Sequence, residues 1–137
     1  MKITICGSTN FVPEIKKIRD KLKDRGHEVF SLAWTDLSFQ EIDAKKNNRE
    51  KFINELKPKL LIEHFNKILK SDAILVVNLE KNGIKNYIGG NTLMEIGFAH
   101  VLNKKIYLFN PIPKISYADE TEAMKPIILN GDLSKIK

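Results

Sequence analysis

Glu95 is the residue with the clearest chemical potential, because it lies in an otherwise apolar helical segment. At about 100° per residue, the apolar side chains between Leu93 and Leu102 cover nearly the whole helix circumference. A position in the first turns, at the positive end of the helix dipole, favours the ionised carboxylate. Such a carboxylate, partly withdrawn from water, suits nucleophilic attack on a sugar carbon. The alternative is that Glu95 reaches solvent at the helix edge or pairs with a lysine.

Two glycine-containing loops carry the candidate binding groups. Gly7 and Ser8 follow the first predicted strand, and the run Gly89-Gly90-Asn91-Thr92 leads into the helix of Glu95. Unpaired N–H groups at helix N-termini favour phosphate or carboxylate. Neither loop has the glycine pattern of a dinucleotide site or a P-loop. The alternative is that these glycines only permit tight turns.

His64 and Cys6 carry weaker signals. His64 lies near the apolar face of a predicted helix, where a structural histidine is the more common case. Cys6 is the single cysteine and is predicted to be a buried strand thiol. No group of Cys, His and Asp has the spacing of metal ligands, so we expect no metal site and no cofactor.

The elements that position these residues alternate between strands and helices. Strands are predicted at residues 3–6, 27–32, 73–77, 105–109 and 126–129, and helices at 13–25, 40–70 with a break at Pro58, 92–102 and 119–124. This alternation predicts an α/β fold with a doubly wound parallel five-stranded sheet, forming a single domain over residues 1–137. Ligands of such sheets bind beyond the carboxyl ends of the strands, where the strand order reverses.

Composition excludes several classes of protein. The chain has 137 residues, of which 42% are hydrophobic and 29% charged, as in ordinary globular domains. No apolar run approaches a bilayer span and the chain does not start with a signal-peptide pattern, so we expect a soluble cytoplasmic protein. The formal charge is +6, but only three of its 23 cationic residues are arginines. Because lysine lacks the planar fork that reads bases, we expect small anionic ligands rather than nucleic acid.

Three successive motifs resemble one family. They are Ile5-Cys6-Gly7-Ser8, the strand Ser71-Asp72-Ala73-Ile74-Leu75-Val76-Val77, and Met94-Glu95-Ile96-Gly97-Phe98-Ala99. In order and spacing they look like the nucleoside 2-deoxyribosyltransferase superfamily, which includes 2′-deoxynucleoside 5′-monophosphate N-glycosidases. The resemblance implies a flavodoxin-like fold, a homodimer or larger homo-oligomer, and Glu95 as the nucleophile at C1′. It also implies substrate contacts from Cys6 and the two glycine loops.

Three positions depart from the pattern of that superfamily. His64 stands where its members carry a catalytic aspartate, Thr4 where they carry a tyrosine, and Gly89 where they carry an aspartate or a phosphate-binding serine. An imidazole can still orient Glu95 or protonate a departing base, so His64 is a candidate catalytic partner.

Two classes of function follow from the sequence. The first is an enzyme that cleaves or transfers the N-glycosidic bond of a nucleoside or nucleoside 5′-monophosphate, with hydrolysis favoured slightly over transfer. The second is a nucleotide-binding regulatory or interaction domain that uses the same crevice without chemistry.

Overall fold

The computed structural model describes all 137 residues. They form one parallel sheet with helices packed on both of its faces. The strands are β1 (Lys2–Gly7), β2 (Glu28–Phe30), β3 (Ala73–Val77), β4 (Lys105–Leu108) and β5 (Ile127–Ile128). The helices are α1 (Val12–Asp24), α2 (Phe39–Lys46), α3 (Arg49–Lys51), α4 (Lys57–Leu69), α5 (Gly90–Val101) and α6 (Ala118–Ala123). A π-helical turn (Phe52–Leu56) joins α3 to α4, and 3₁₀ turns lie at Thr9–Phe11 and Leu133–Lys135.

The sheet has the order β2-β1-β3-β4-β5, and every pair of neighbouring strands is parallel. The strand order reverses between β1 and β3, which pair from Ile3 with Ala73 to Gly7 with Val77. This is the flavodoxin-like, doubly wound sheet that the sequence predicted, formed in one domain. A crevice is expected beyond the carboxyl ends of these two strands.

Side chains of β1 alternate between two hydrophobic clusters. Ile3 and Ile5 pack with α1 and with the C-terminal segment around Leu129. Cys6 packs in the other cluster, with residues of β3, α4 and α5. Since successive residues of a strand face opposite sides, the register of β1 points the Cys6 thiol towards α4 and α5.

The central strand of the sheet is β3, and all of its residues are buried. Its unbroken apolar run suits a parallel strand that is covered by helices on both faces. Each buried Ile, Leu or Val side chain there contributes about 1.5–3 kcal/mol through the area removed from water. This strand therefore forms the rigid floor beside which the loops of the site are placed.

Several element ends follow from local sequence. Gly26 has a φ of 91° just after α1, the conformation typical of a C′ glycine. The backbone does not break at Pro58 as predicted: it stays helical from the π-helical turn into α4, whose first turn contains the proline, and the helices separate at Asn47 and Asn48 instead. In addition, α5 begins at Gly90 instead of Thr92, and β2 spans three residues instead of six. The spacing of Leu61, Phe65, Ile68 and Leu69 predicts one side of α4 that faces the core, but Leu69 is 48% exposed.

A pair of amides joins the carboxyl ends of β3 and β4. The buried Asn78 side chain accepts a hydrogen bond from the Asn110 N–H at 2.8 Å and donates to the Asn110 carbonyl at 2.9 Å. Asn110 returns a side-chain bond to the Asn78 carbonyl at 3.0 Å. These bonds satisfy buried polar groups where the strands end.

None of the helices has both the length and the apolar composition needed to cross a membrane.

Candidate active site

A cavity of about 510 Å³ opens beyond the carboxyl end of β1. Its walls come from the loop after β1, the segment before α2, the inner side of α4 and the start of α5. Eight of the nine predicted site residues line it: Gly7, Ser8, His64, Gly89, Gly90, Asn91, Thr92 and Glu95. The remaining one, Cys6, does not reach the cavity and is completely buried.

Glu95 projects from the second turn of α5 and only 7% of its surface is exposed. Burial raises the pKa of its carboxyl to about 8, although the Cys6 thiol and the Lys67 charge act in the opposite direction. The sequence led us to expect that the helix N-terminus would favour the ionised form. Here the loss of hydration outweighs the dipole, because the carboxyl lies among packed side chains and has no cation in contact.

His64 projects from α4 towards Glu95. Its Nε2 lies 3.4 Å from Glu95 Oε2, and both side chains are 9% exposed. Burial, with a smaller contribution from the Lys67 charge, lowers the pKa of the imidazole to about 4. At neutral pH the imidazole is therefore neutral and the carboxyl is protonated. The pair has one exchangeable proton between carboxyl and imidazole, and it resides on the carboxyl.

The thiol of Cys6 lies behind this pair. Its Sγ is 3.4 Å from His64 Nε2, and the ligand atoms of Cys6, His64 and Glu95 all lie within 4.8 Å of one another. Burial, and then the charge of Glu95, raise the pKa of the thiol well above its ordinary value. The cluster could not be found from spacing along the sequence, because its members come from β1, α4 and α5. The sequence signal that could have indicated it is that each of the three residues lies on the buried side of its strand or helix.

The start of α5 presents unpaired backbone donors to the cavity. Gly89 precedes the helix and no side chain caps its N-terminus. The first intrahelical bond is donated by the Leu93 N–H to the Gly89 carbonyl, so the N–H groups of the three preceding residues lack helical partners. Such a terminus attracts anions.

The ring of Tyr87 leaves little room for a side chain at position 89. A Cβ at this position would lie 3.3 Å from Cε1 of the Tyr87 ring. Tyr87 thus occupies the volume into which a serine or aspartate at position 89 would extend. Thr4, another departure from the superfamily pattern, lies away from the cavity, with its Oγ1 2.6 Å from Ser71 Oγ.

Lysines that sequence reasoning did not single out line the opposite rim. Lys81 donates to Ser8 Oγ at 3.2 Å, and Lys46 donates to Thr9 Oγ1 at 3.1 Å. Desolvation, followed by the charges of Lys57 and Lys81, lowers the pKa of Lys46. None of these three lysines forms a salt bridge, so their charges are available to an anion.

Aromatic rings accompany the lysines. Lys46 Nζ lies 5.8 Å from the centre of the Trp34 ring and 6.0 Å from that of Phe52, and the two rings pack with their centres 6.0 Å apart. Ala33 and Trp34, in the segment between β2 and α2, also line the cavity. Flat apolar surfaces beside cations suit a ligand with both an aromatic ring and a negative charge.

Comparisons with known structures agree with this architecture. The 2-deoxyribosyltransferase of Bacillus psychrosaccharolyticus superposes with a TM-score of 0.53 at 19% identity, over 79% of this chain and 71% of that one. The chain therefore shares the α/β fold of that enzyme. The CMP N-glycosidase BcmB of Clostridium botulinum superposes with a TM-score of 0.49 at 18% identity, over 95% of this chain and 90% of that one. No family model matches the sequence, and no curated protein matches it.

Proposed function

We propose that the protein breaks the N-glycosidic bond of a nucleoside or nucleoside 5′-monophosphate, with Glu95 as the nucleophile and His64 as its proton-transfer partner. The observation that carries this proposal is the 3.4 Å contact between His64 Nε2 and Glu95 Oε2 at the wall of a cavity large enough for a nucleotide. Hydrolysis is favoured over transfer to a second base. The resemblance to enzymes of nucleoside chemistry noted from the sequence supports the same reaction class.

The singly protonated pair provides both groups that the reaction needs. Glu95 passes its proton to His64 Nε2, and the resulting carboxylate attacks C1′ of the sugar. The bond from C1′ to the base nitrogen breaks with its electron pair on the base, which takes the proton from the imidazolium. Water, deprotonated by His64, then attacks C1′ and frees the Glu95 carboxylate.

The lysines at the rim of the cavity support the proposal that the substrate is phosphorylated. Lys46, Lys57 and Lys81 carry charges without carboxylate partners, and the N-terminus of α5 adds a second source of positive potential. Asn91 and Thr92 at that terminus are the proposed phosphate contacts, while Gly7 and Ser8 contact the sugar or the base. A substrate contact from Cys6 is no longer part of the proposal, since its thiol does not reach the cavity.

A second candidate is a nucleotide-binding domain without catalysis. The observation that favours it is the pKa of Glu95, raised by burial to about 8, which keeps the carboxyl protonated and non-nucleophilic at neutral pH unless His64 takes the proton. Ligand-dependent thermal stabilisation without release of base is the expected behaviour of this alternative.

We also propose that the protein forms a homodimer through α4 and α5 and resides in the cytoplasm. These helices pack side by side through an edge contact between the rings of Phe65 and Phe98, whose centres are 5.2 Å apart. Beside these rings, each helix exposes large apolar side chains seven residues apart: Ile62, Leu69, Met94 and Val101. A surface of this kind is typical of an interface. Sedimentation of the Val101→Glu variant tests it, since a monomer is expected in place of a wild-type dimer.

Release of free base from a panel of nucleosides and their 5′-monophosphates tests the activity, with chromatography as the readout. Glu95→Gln is expected to reduce the rate at least about 1,000-fold, because it removes the nucleophile and keeps the shape. Glu120→Gln, on the exposed surface of α6, is the matched control and keeps wild-type activity. Mass spectrometry of the enzyme with a 2-fluoro-sugar substrate is expected to find the sugar on the peptide of Glu95. Binding without any release of base supports the second candidate and overturns the first.

A further inference from the structure

We infer that Cys6, His64 and Glu95 form a site for one zinc ion, with its fourth position open to the cavity. The three side chains are buried, and their ligand atoms lie within 4.8 Å of one another. The site itself is independent of the proposed glycosidase reaction. It departs from the expectation of the sequence, where no spacing of metal ligands was found.

Two of the three distances in the cluster match those between ligands of a tetrahedral ion, and the third is no longer than 4.8 Å. With zinc–ligand bonds of about 2.0–2.3 Å, two ligands at the tetrahedral angle lie about 3.3–3.6 Å apart. Cys6 Sγ to His64 Nε2 and His64 Nε2 to Glu95 Oε2 are both 3.4 Å. His64 can therefore donate its Nε2 electron pair to an ion placed between the thiol and the carboxyl, with little movement of the backbone.

The donor atoms favour zinc over other common ions. A sulfur, an imidazole nitrogen and one carboxylate oxygen make a borderline-soft set, whereas magnesium and calcium prefer oxygen ligands throughout. Three protein ligands with an open position are also the usual arrangement of accessible zinc sites. Cys6 is the only thiol of the chain, and it lies within reach of a histidine and a carboxyl.

Access to the site runs through the cavity. His64 and Glu95 line its wall, whereas Cys6 closes the site from behind and is completely buried. The charge of Lys67 acts on both lining residues, but its Nζ is held by the Ser31 carbonyl at 2.8 Å and by Glu63 at 3.5 Å. The fourth ligand is thus water or an anionic ligand that enters from the cavity.

Zinc at this site inhibits the proposed reaction. Because the metal holds the Glu95 oxygen and the His64 Nε2, the carboxyl cannot attack C1′ and the imidazole cannot move a proton. This consequence rests on the proposed function, whereas binding of the ion does not. A chelator is expected to restore activity, so the metal-free protein is the active form.

Titration of the chelator-treated protein with zinc and with cobalt tests the site. Calorimetry with zinc is expected to give one ion per chain, and cobalt is expected to give the absorption of a thiolate–cobalt charge transfer. Cys6→Ser is expected to abolish that absorption, and His64→Asn to weaken zinc binding more than about 100-fold. His100→Asn, at an exposed position of α5, is the matched control and binds as wild type does.

The wild-type titrations decide the matter even where a variant fails to fold. Cobalt bound without the charge-transfer absorption, or zinc bound equally well by folded Cys6→Ser, overturns the proposal by excluding the thiol. Absence of zinc binding at millimolar concentration overturns it as well. A protein that binds zinc as expected but releases no base supports the metal site and rejects the glycosidase, so the two failures are distinguishable.

Discussion

His64 Nε2 and Glu95 Oε2 lie 3.4 Å apart across the contact between α4 and α5, and the two groups share one proton at neutral pH. Burial raises the pKa of the Glu95 carboxyl and lowers the pKa of the His64 imidazole, because it favours the neutral form of each group. The result is a neutral pair that becomes a carboxylate and an imidazolium by one proton transfer. An arrangement of this kind prepares a nucleophile and an acid together without holding two separated charges in the resting state.

Replacement of Glu95 by glutamine is expected to stabilise the protein at alkaline pH. The folded-state pKa of Glu95 is about 8, above its ordinary value of 4.5, so the folded chain binds this proton more tightly than the unfolded chain does. The contribution of Glu95 to wild-type stability therefore falls as pH rises from about 4.5 to 8. At pH 8.5, Glu95→Gln is expected to have a free energy of unfolding higher by on the order of a few kcal/mol, measured by denaturant titration.

Glu95 and His64 change the free energy of unfolding over different pH ranges. The folded-state pKa of His64 is about 4, below its ordinary 6.5, so stability is lost as pH falls from 6.5 to 4. The two groups oppose each other at acidic pH, whereas Glu95 dominates between 6.5 and 8.5. Glu120→Gln serves as the exposed control. A gain for Glu95→Gln that grows towards acid would contradict the assignment.

Removal of His64 is expected to reverse the pH dependence of catalysis. The active state of the wild type has one proton on the pair, so kcat/KM follows a bell with limits near pH 4 and pH 8. In His64→Asn, Glu95 has no partner to take its proton, so the residual kcat/KM rises with pH as the carboxyl ionises. KM is expected to change less than kcat, because substrate contacts remain. A bell of unchanged limits in the variant would rule out the role of His64.

Neutral replacements of the rim lysines are expected to weaken phosphate binding selectively. Lys81→Met and Lys46→Met each remove a partially exposed cation, so the affinity for a nucleoside 5′-monophosphate falls about 3- to 10-fold and less at high salt. Affinity for the unphosphorylated nucleoside stays the same. Calorimetry with the two ligands measures the difference, and Lys17→Met on the exposed side of α1 is the control. Equal losses for both ligands would place the lysines elsewhere than at the phosphate.

Alanine at two glycines is expected to act in opposite directions on stability. A Cβ at Gly7 would lie 3.0 Å from the Val77 carbonyl oxygen and 3.4 Å from Ile15 Cδ1, so Gly7→Ala costs about 1–3 kcal/mol as β1 moves from β3. A Cβ at Gly97, inside α5, would meet no atom within 4 Å, so Gly97→Ala gains about 0.5–1 kcal/mol of helix propensity. Thermal unfolding compares them. Equal effects would show that the two sites do not differ in packing.

Much of the fold could be predicted because its signals are local. The apolar run of β3 and the periodicity of α1, with Gly26 at its end, follow from the residues within each element. The π-helical turn before Pro58 could not be predicted, since no residue pattern in the segment distinguishes it from an α-helix. The early start of α5 also escaped prediction, because glycine carries no side-chain signal for a helix.

The site was only partly predictable for the same physical reason. Glu95 stood out because its helix has no polar face, and its burial confirms that interpretation. Its protonation did not follow from the sequence, since the helix dipole is a local effect and desolvation is set by the surrounding fold. The contact of His64 with Cys6 depends on the register of β1 against β3 and on the rotation of α4, which no single segment encodes.

The short outer strands have a consequence for how copies of the chain can meet. The edges of the sheet are β2, with three residues, and β5, with two. Neither offers a row of free backbone groups long enough to template a strand from another molecule. The sheet is thus protected from growing sideways into fibrils, and the dimer proposed through α4 and α5 does not need its edges.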